Sequence, residues 1–300
     1  MAKFNRPDKR NEDTQVWVNG LVPRGQATVS VLDSGVQGGD AVWEGLRLRQ
    51  GRLLQFDEHV KRLLDSAHAM AFVDVPTKAQ IQDAVLSTLT ANAMRDGVHI
   101  RLTLTRGRKS TSGMDPRLNV YGPTLIVLPE YKGAVYGNEG LTLVSASTRR
   151  NPPSCVDSNI HHANLINNIL AKIEANHAGA DDAVMLDLRG FIAETNATNI
   201  FMVRDGVLLT PFAVACLPGI TRAFVMDIAQ TLGVPVKEAD LSLTTLYTAD
   251  EAFTTGTMGG LAHIEWVDGR KIGGGKLGPI TAQLKTAYAE QIVDTGFAID

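Results

Sequence analysis

Strand-like and helical patterns follow one another in mixed order along this chain, without the regular alternation that builds a doubly wound parallel sheet. The expected class is therefore α+β. Gln15-Val16-Trp17-Val18 runs into Asn19-Gly20 and a second apolar stretch, the pattern of a tight hairpin whose positive φ angles suit Asn-Gly, so an antiparallel sheet is expected to begin there. From Asp57, taken as an N-cap, Val60, Leu63, Leu64, Ala67 and Met70 recur at helical spacing and predict one buried stripe. Thr77 and Gln80 form a capping-box pattern, and Ile81, Val85, Leu86 and Leu89 continue as the apolar face of a second helix. The alternation over 98–105 predicts a strand, and 125–128 another.

Pro129 to Gly140 holds glycines and few large apolar groups, and is the expected link between two domains. The division is then 1–128, 129–140 and 141–300, with residues 1–10 as a loose tail. Beyond the link, strands are expected at 141–147, 183–188, 200–203 and 207–210, the last two facing each other across Arg204-Asp205-Gly206. Helices are expected at 163–177, 221–232 and 279–292.

With 29 basic against 32 acidic side chains and a net charge of −3, a phosphate-backbone binder is not the first expectation, and no nucleic-acid partner is predicted. No stretch has the roughly 18 apolar residues a membrane span needs, and the start has no apolar leader, so a cytoplasmic protein without a membrane partner is expected. Cys155 and Cys216 show no zinc-type spacing and read as reduced thiols; no metal is expected.

Three segments suggest chemistry. Leu217-Pro218-Gly219-Ile220-Thr221-Arg222 opens a helix, where free N–H groups and the Thr221 hydroxyl can hold an anion such as phosphate; a plain loop and cap is the alternative. Thr254-Thr255-Gly256-Thr257-Met258-Gly259-Gly260 follows a strand-like run, and its glycines let a ligand approach the backbone, although many such loops are only turns. In Glu194-Thr195-Asn196-Ala197-Thr198-Asn199-Ile200-Phe201 an acid stands among apolar residues, either solvated at a strand end or buried against a protonated partner. Arg62, on the polar side of the first helix, is a candidate cationic partner or a solvated surface residue.

Taken together in this order and spacing, these segments resemble the class IV pyridoxal-phosphate aminotransferases, which include branched-chain and D-amino acid aminotransferases, aminodeoxychorismate lyase and R-selective amine transaminases. Gly39-Asp40-Ala41-Val42-Trp43-Glu44-Gly45-Leu46-Arg47 and Glu58-His59-Val60-Lys61-Arg62-Leu63 extend the likeness over nearly the whole chain. The resemblance implies the two-domain fold type IV architecture: a smaller N-terminal α/β sandwich and a larger C-terminal domain with a mixed, barrel-like sheet. It implies pyridoxal 5'-phosphate as cofactor, an amino acid and 2-oxo acid as substrates, and a homodimer. Arg62, Ile220, Thr221 and Thr257 would bind the phosphate, Gly219 and Gly256 would also border the cofactor, Glu194 would pair with the pyridine nitrogen, Leu217 would lie against the ring, and Thr195 would add a contact or narrow the site. Trp43, Arg101, Arg106, Arg108 and Met258 are the candidate substrate residues. Glu44-Gly45-Leu46-Arg47 is most similar to the branched-chain branch.

The family's imine-forming lysine precedes an Asn by three or four positions. Here Asn159-Ile160-His161-His162-Ala163-Asn164 puts His161 or Ile160 in that place, and no lysine stands between Lys132 and Lys172. An imidazole forms no stable imine, but it can move a proton near neutral pH, so His161 and His162 are the expected bases and the cofactor is expected to bind without a covalent link. The alternatives are a relative that takes another phosphate or carboxylate ligand, an interaction module with a closed site, and a working transaminase whose lysine was exchanged.

Overall fold

A computed structural model describes residues 8–137 and 139–299, and the chain divides into two compact units. The expected tail of residues 1–10 lies mostly outside the described residues; Lys9–Asn11 forms a single 3-10 turn capped by Asp8.

The N-terminal unit comprises, among the described residues, 8–133, 160–164 and 292–299. Its seven-stranded sheet runs in the order Phe297–Ala298, Arg52–Leu53, Ala41–Arg49, Val98–Thr105, Thr124–Tyr131, Gln15–Val18, Leu21–Pro23, with every pair antiparallel. Asn19, at φ 51, makes the expected turn. Along the long central strands burial alternates, so Val42, Leu46, Leu48, Ile100, Leu102, Leu104 and Val127 face Val60, Leu63, Ala67, Ile81, Val85 and Leu89 from helices Phe56–Ala69 and Lys78–Ala91. Burying these side chains, at about 1.5–3 kcal/mol each for the larger ones, drives the sandwich together. The Thr77 and Gln80 capping box is formed. Asp57 is not the cap: Gln55 holds that place in the left-handed region, and Asp57 and Glu58 lie in the first turn, where their charge suits the helix dipole.

Two features depart from a contiguous division. Residues 129–131, expected in the link, finish a strand, and the change of unit falls between Gly133 and Ala134. Residues 160–164 return to the N-terminal unit, where Trp43 N–H donates to His161 O (2.9 Å) and Ala163 N–H to Ala41 O (2.8 Å), so the segment lies antiparallel beside the start of Ala41–Arg49. For that reason the following helix begins at Ile166 rather than 163.

The C-terminal unit covers residues 134–159 and 165–291 among its described parts. Its main sheet is mixed: Val236–Ala239, Val207–Pro211, Asn199–Arg204, Glu251–Gly256, Gly260–Val267, Leu141–Ser145, Asp182–Leu186, Ile192–Thr195. Three neighbour pairs are parallel and the rest antiparallel. Asp205 and Gly206, at φ 51 and 75, turn the predicted hairpin. Helices Ile220–Thr231 and Pro279–Gln291 bury Val225, Ile228, Ala229, Leu284 and Ala287 against Phe201, Val203, Phe253 and Leu261. Thr254 to Gly256, expected in a loop, belong to the strand, which leaves only 257–259 as the turn.

Candidate active site

In the N-terminal unit the chemistry gathers around Glu44. Its position on the inward face of Ala41–Arg49 places the carboxylate opposite the first turns of Phe56–Ala69, and the i, i+3 spacing of His59 and Arg62 brings both to it. Arg62 is bidentate, with Nε and Nη2 each 2.7 Å from a Glu44 oxygen; His59 Nδ1 lies at 2.6 Å and His161 Nδ1 at 3.0 Å. Burial works to raise the Glu44 pKa, but His161, Arg62 and His59 outweigh it and hold the carboxyl well below the usual range. Burial pushes His161 down to about 4, and Arg62 and His59 act in the same sense against Glu44. At neutral pH the ring is uncharged.

On the other side, His161 rests on Trp43, with ring centroids 4.2 Å apart, and the Arg101 guanidinium lies 3.4 Å from the Trp43 centroid. The strand register pairs Trp43 with Thr103 and Gly45 with Arg101, which builds this stack. Burial lowers Arg101 to about 10 while Glu44 works to raise it, so it stays cationic at neutral pH. Five sequence candidates are thus accounted for in one cluster or beside it: Trp43, Arg62, Arg101 and His161 together, and His162 next in the chain. His162 is turned to a local task, its Nδ1 accepting the Asn164 backbone N–H at 3.2 Å.

The other two arginines are placed elsewhere. Arg106 donates to both Asp40 oxygens and to the carbonyls of Met70 and Ala71, which ties the end of the first helix to the sheet. Arg108 is exposed over Tyr121. Lys172, the nearest downstream lysine, is bound to Asp181 O and Asp182.

In the C-terminal unit the three motif segments meet at Asn199. Its Nδ2 donates to Leu217 O at 3.0 Å and to Glu194 Oε2 at 3.4 Å, and it stands opposite Thr255 in the sheet. Gly219 is packed so closely on Asn199 that a Cβ there would fall 1.9 Å from Oδ1. Gly219 is also the N-cap of Ile220–Thr231, and no side chain caps this helix. Gly256 touches the Thr198 methyl, so a Cβ would meet it at 3.2 Å. Thr257 and Met258 form the adjoining turn, half-buried. Thr195 is spent within its own turn, its hydroxyl 2.7 Å from Thr198 Oγ1 and accepting the Thr198 N–H.

Glu194 is buried and paired with Arg150 Nη2 at 2.7 Å. Arg150 carries no motif that would have singled it out. Glu44 and His59 did have a signal, since a charged residue at an inward position of an alternating strand needs a partner.

The class IV amino-transferase family model matches residues 41–266, and the chain belongs to that family. Among its relatives, the branched-chain-amino-acid aminotransferase-like protein 2 of Arabidopsis thaliana is 54% identical over 98% of this chain; the chain spans only 53% of that protein's length. The branched-chain-amino-acid aminotransferase of Pseudomonas aeruginosa is 34% identical, over 94% of each chain. The solved branched-chain amino acid aminotransferase of Thermobaculum terrenum, in its PLP-bound holo form, superposes with a TM-score of 0.86 at 27% identity, covering 95% of each chain.

Proposed function

We propose that this chain binds pyridoxal 5'-phosphate without a covalent link and acts on a branched-chain-type amino acid and 2-oxo acid pair, with His161 moving the proton in place of a lysine. The observation that carries the reading is the Asn199 side chain, which ties the acid suited to a pyridine nitrogen to the loop suited to a phosphate. The C-terminal residues fit the cofactor chemically. An uncapped helix start at Gly219-Ile220-Thr221 offers N–H groups to a phosphate, and the bare Gly219 lets this loop close onto Asn199. A buried Glu194 matches a protonated ring nitrogen.

When bound, the cofactor supplies an electron sink for the substrate carbanion. Ile220, Thr221 and Thr257 would hold the phosphate, and Arg62, the remaining phosphate candidate, fixes Glu44. Leu217 would lie against the ring. Arg101, still charged and stacked on Trp43, is the candidate for a substrate carboxylate, and Met258 for its side chain. His161 is neutral above about pH 4 and so is ready to accept a proton.

The test is the visible spectrum of the protein with pyridoxal phosphate, before and after borohydride, beside an assay with branched-chain donors. The expected result is a saturable spectral change, no borohydride-fixed mass, and turnover of a donor. Absence of any spectral change overturns the reading and favours a relative that takes a different phosphate or carboxylate ligand; a fixed adduct overturns the non-covalent part.

A homodimer belongs to the same proposal. Ile166, Ile169, Leu170 and Ile173 form an exposed apolar stripe on one helix, suited to cover by a second copy, and light scattering checks the mass. Free Cys155 and Cys216 accord with a reducing, cytoplasmic location.

A further inference from the structure

Glu44 is fully buried, and four donors converge on its two oxygens. Oε1 accepts from Arg62 Nε and His161 Nδ1, and Oε2 from Arg62 Nη2 and His59 Nδ1. An ionised carboxylate has acceptor sites only, about four of them, so all are used and each nitrogen that faces it must carry a hydrogen. For His161 this settles the tautomer. With the hydrogen on Nδ1, the neutral ring keeps its lone pair on Nε2, and Nε2 has no hydrogen-bond partner among the described residues.

We propose that Glu44 is the positioning residue for His161: it locks the imidazole as the Nδ1–H tautomer and leaves Nε2 as the proton acceptor of the site. The inference rests on the reading of His161 given above and names the atom that acts. The proton passes from the substrate carbon to Nε2, the electron pair of the broken C–H bond stays with the carbon, and Glu44 meets the new imidazolium charge through Nδ1–H. Return of the proton from Nε2 restores the neutral ring.

Two neighbours sharpen the assignment. His162 is held in the opposite state, since its Nδ1 accepts the Asn164 N–H and so carries no hydrogen when the ring is neutral. A carboxylate beside an imidazole ordinarily favours the charged ring; here Arg62 has already matched the Glu44 charge from the helix, His59 borders it from the same helix, and Arg101 adds a positive charge beyond Trp43. Burial, with Arg62 and His59 acting in the same sense, keeps the ring unprotonated while Glu44 orients it.

Nitrogen-15 NMR of the histidine side chains tests this, with the His161 signals assigned by their loss in His161→Gln. Wild type at neutral pH is expected to show a pyrrole-type Nδ1 and a pyridine-type Nε2. A hydrogen on Nε2, or a rapid mixture of tautomers, overturns the proposal. Glu44→Leu combined with Arg62→Met removes the acid together with its counter-charge, and is expected to move His161 toward a mixture; an unchanged Nδ1–H state there also overturns it. Where the double variant does not fold, the wild-type spectrum decides alone. Pyridoxal phosphate titrated into wild type keeps the two readings apart. An Nδ1–H ring without cofactor binding sinks the proposed function and supports the positioning role, while cofactor binding with an Nε2–H ring does the reverse.

Discussion

Gly219→Ala probes the joint between the helix start and Glu194. Gly219 has φ −66 and ψ 133, which alanine adopts without strain, so the whole cost is steric. The new methyl would lie 1.9 Å from Asn199 Oδ1 and 3.2 Å from Arg222 Cβ. Asn199 cannot give way cheaply, because its amide is held by Leu217 O and Glu194 Oε2. Moving it sacrifices one bond to a neutral acceptor, worth about 0.5–1.5 kcal/mol, and one to a charged acceptor, worth about 1.5–3 kcal/mol when well formed and less at the observed 3.4 Å. The expected loss is about 2–3 kcal/mol in urea unfolding. A parallel weakening of pyridoxal phosphate binding is expected, because the freed loop no longer presents the Ile220 and Thr221 N–H groups in one place. Gly274→Ala, where an added Cβ meets nothing within 4 Å, is the control. A Gly219→Ala protein that matches this control in both stability and cofactor affinity would refute the account of Asn199 as the tie.

Three further outcomes are expected. His161 binds its proton near pH 4 when folded but near the ordinary 6.5 when unfolded, so the unfolded chain takes up more protons in that window. Stability should thus rise with pH from about 4 to 6.5, by up to about 3 kcal/mol, and be fully present above it; His161→Gln should flatten the rise, and an unaltered profile would contradict the assignment. His161→Lys should acquire a borohydride-fixed pyridoxal adduct at residue 161, seen by peptide mass. Ile160→Lys should not, because Ile160 packs against the N-terminal core, and an adduct only at residue 160 would move the site by one residue. Arg150→Met takes the cation away from a buried Glu194 and should cost about 3–5 kcal/mol, much of it recovered in Arg150→Met/Glu194→Leu; strictly additive losses would deny the pairing.

What was legible in the sequence was mainly what a period can carry. The alternation of 98–105, the capping box at Thr77 and the helix that opens at Ile220 were written in neighbouring residues, and each formed where expected. The central strand Ala41–Arg49 stands out in the sequence only as part of a motif, yet its alternating burial contains the signal for Glu44. Other features had no local signature. Arg150 reaches Glu194 across 44 positions of chain. Arg106, which looked as available as Arg101, is taken up by Asp40 and two helix-end carbonyls that no spacing rule connects to it. The return of residues 160–164 and of the C-terminal strand to the N-terminal sheet depends on sheet edges, which exist only after folding.

Histidine at position 161 also makes physical sense of a site centred on Glu44. A lysine there would bring one nitrogen, and that nitrogen could either pair with the carboxylate or be free to react. Imidazole separates the two tasks: one nitrogen is anchored by Glu44 at 3.0 Å while the other keeps its lone pair. The anchor does not leave the base charged, because burial lowers the ring's pKa and the bidentate Arg62 works in the same sense against Glu44. His161 becomes cationic only near pH 4, and Glu44 is held well below its ordinary range by His161, Arg62 and His59. Over the neutral range, then, the carboxylate orients a neutral ring, and in the proposed transfer it would supply a counter-charge when that ring takes a proton. A group that neither forms an imine nor needs one can serve proton transfer on these terms, provided the cofactor is held by its phosphate and ring nitrogen alone.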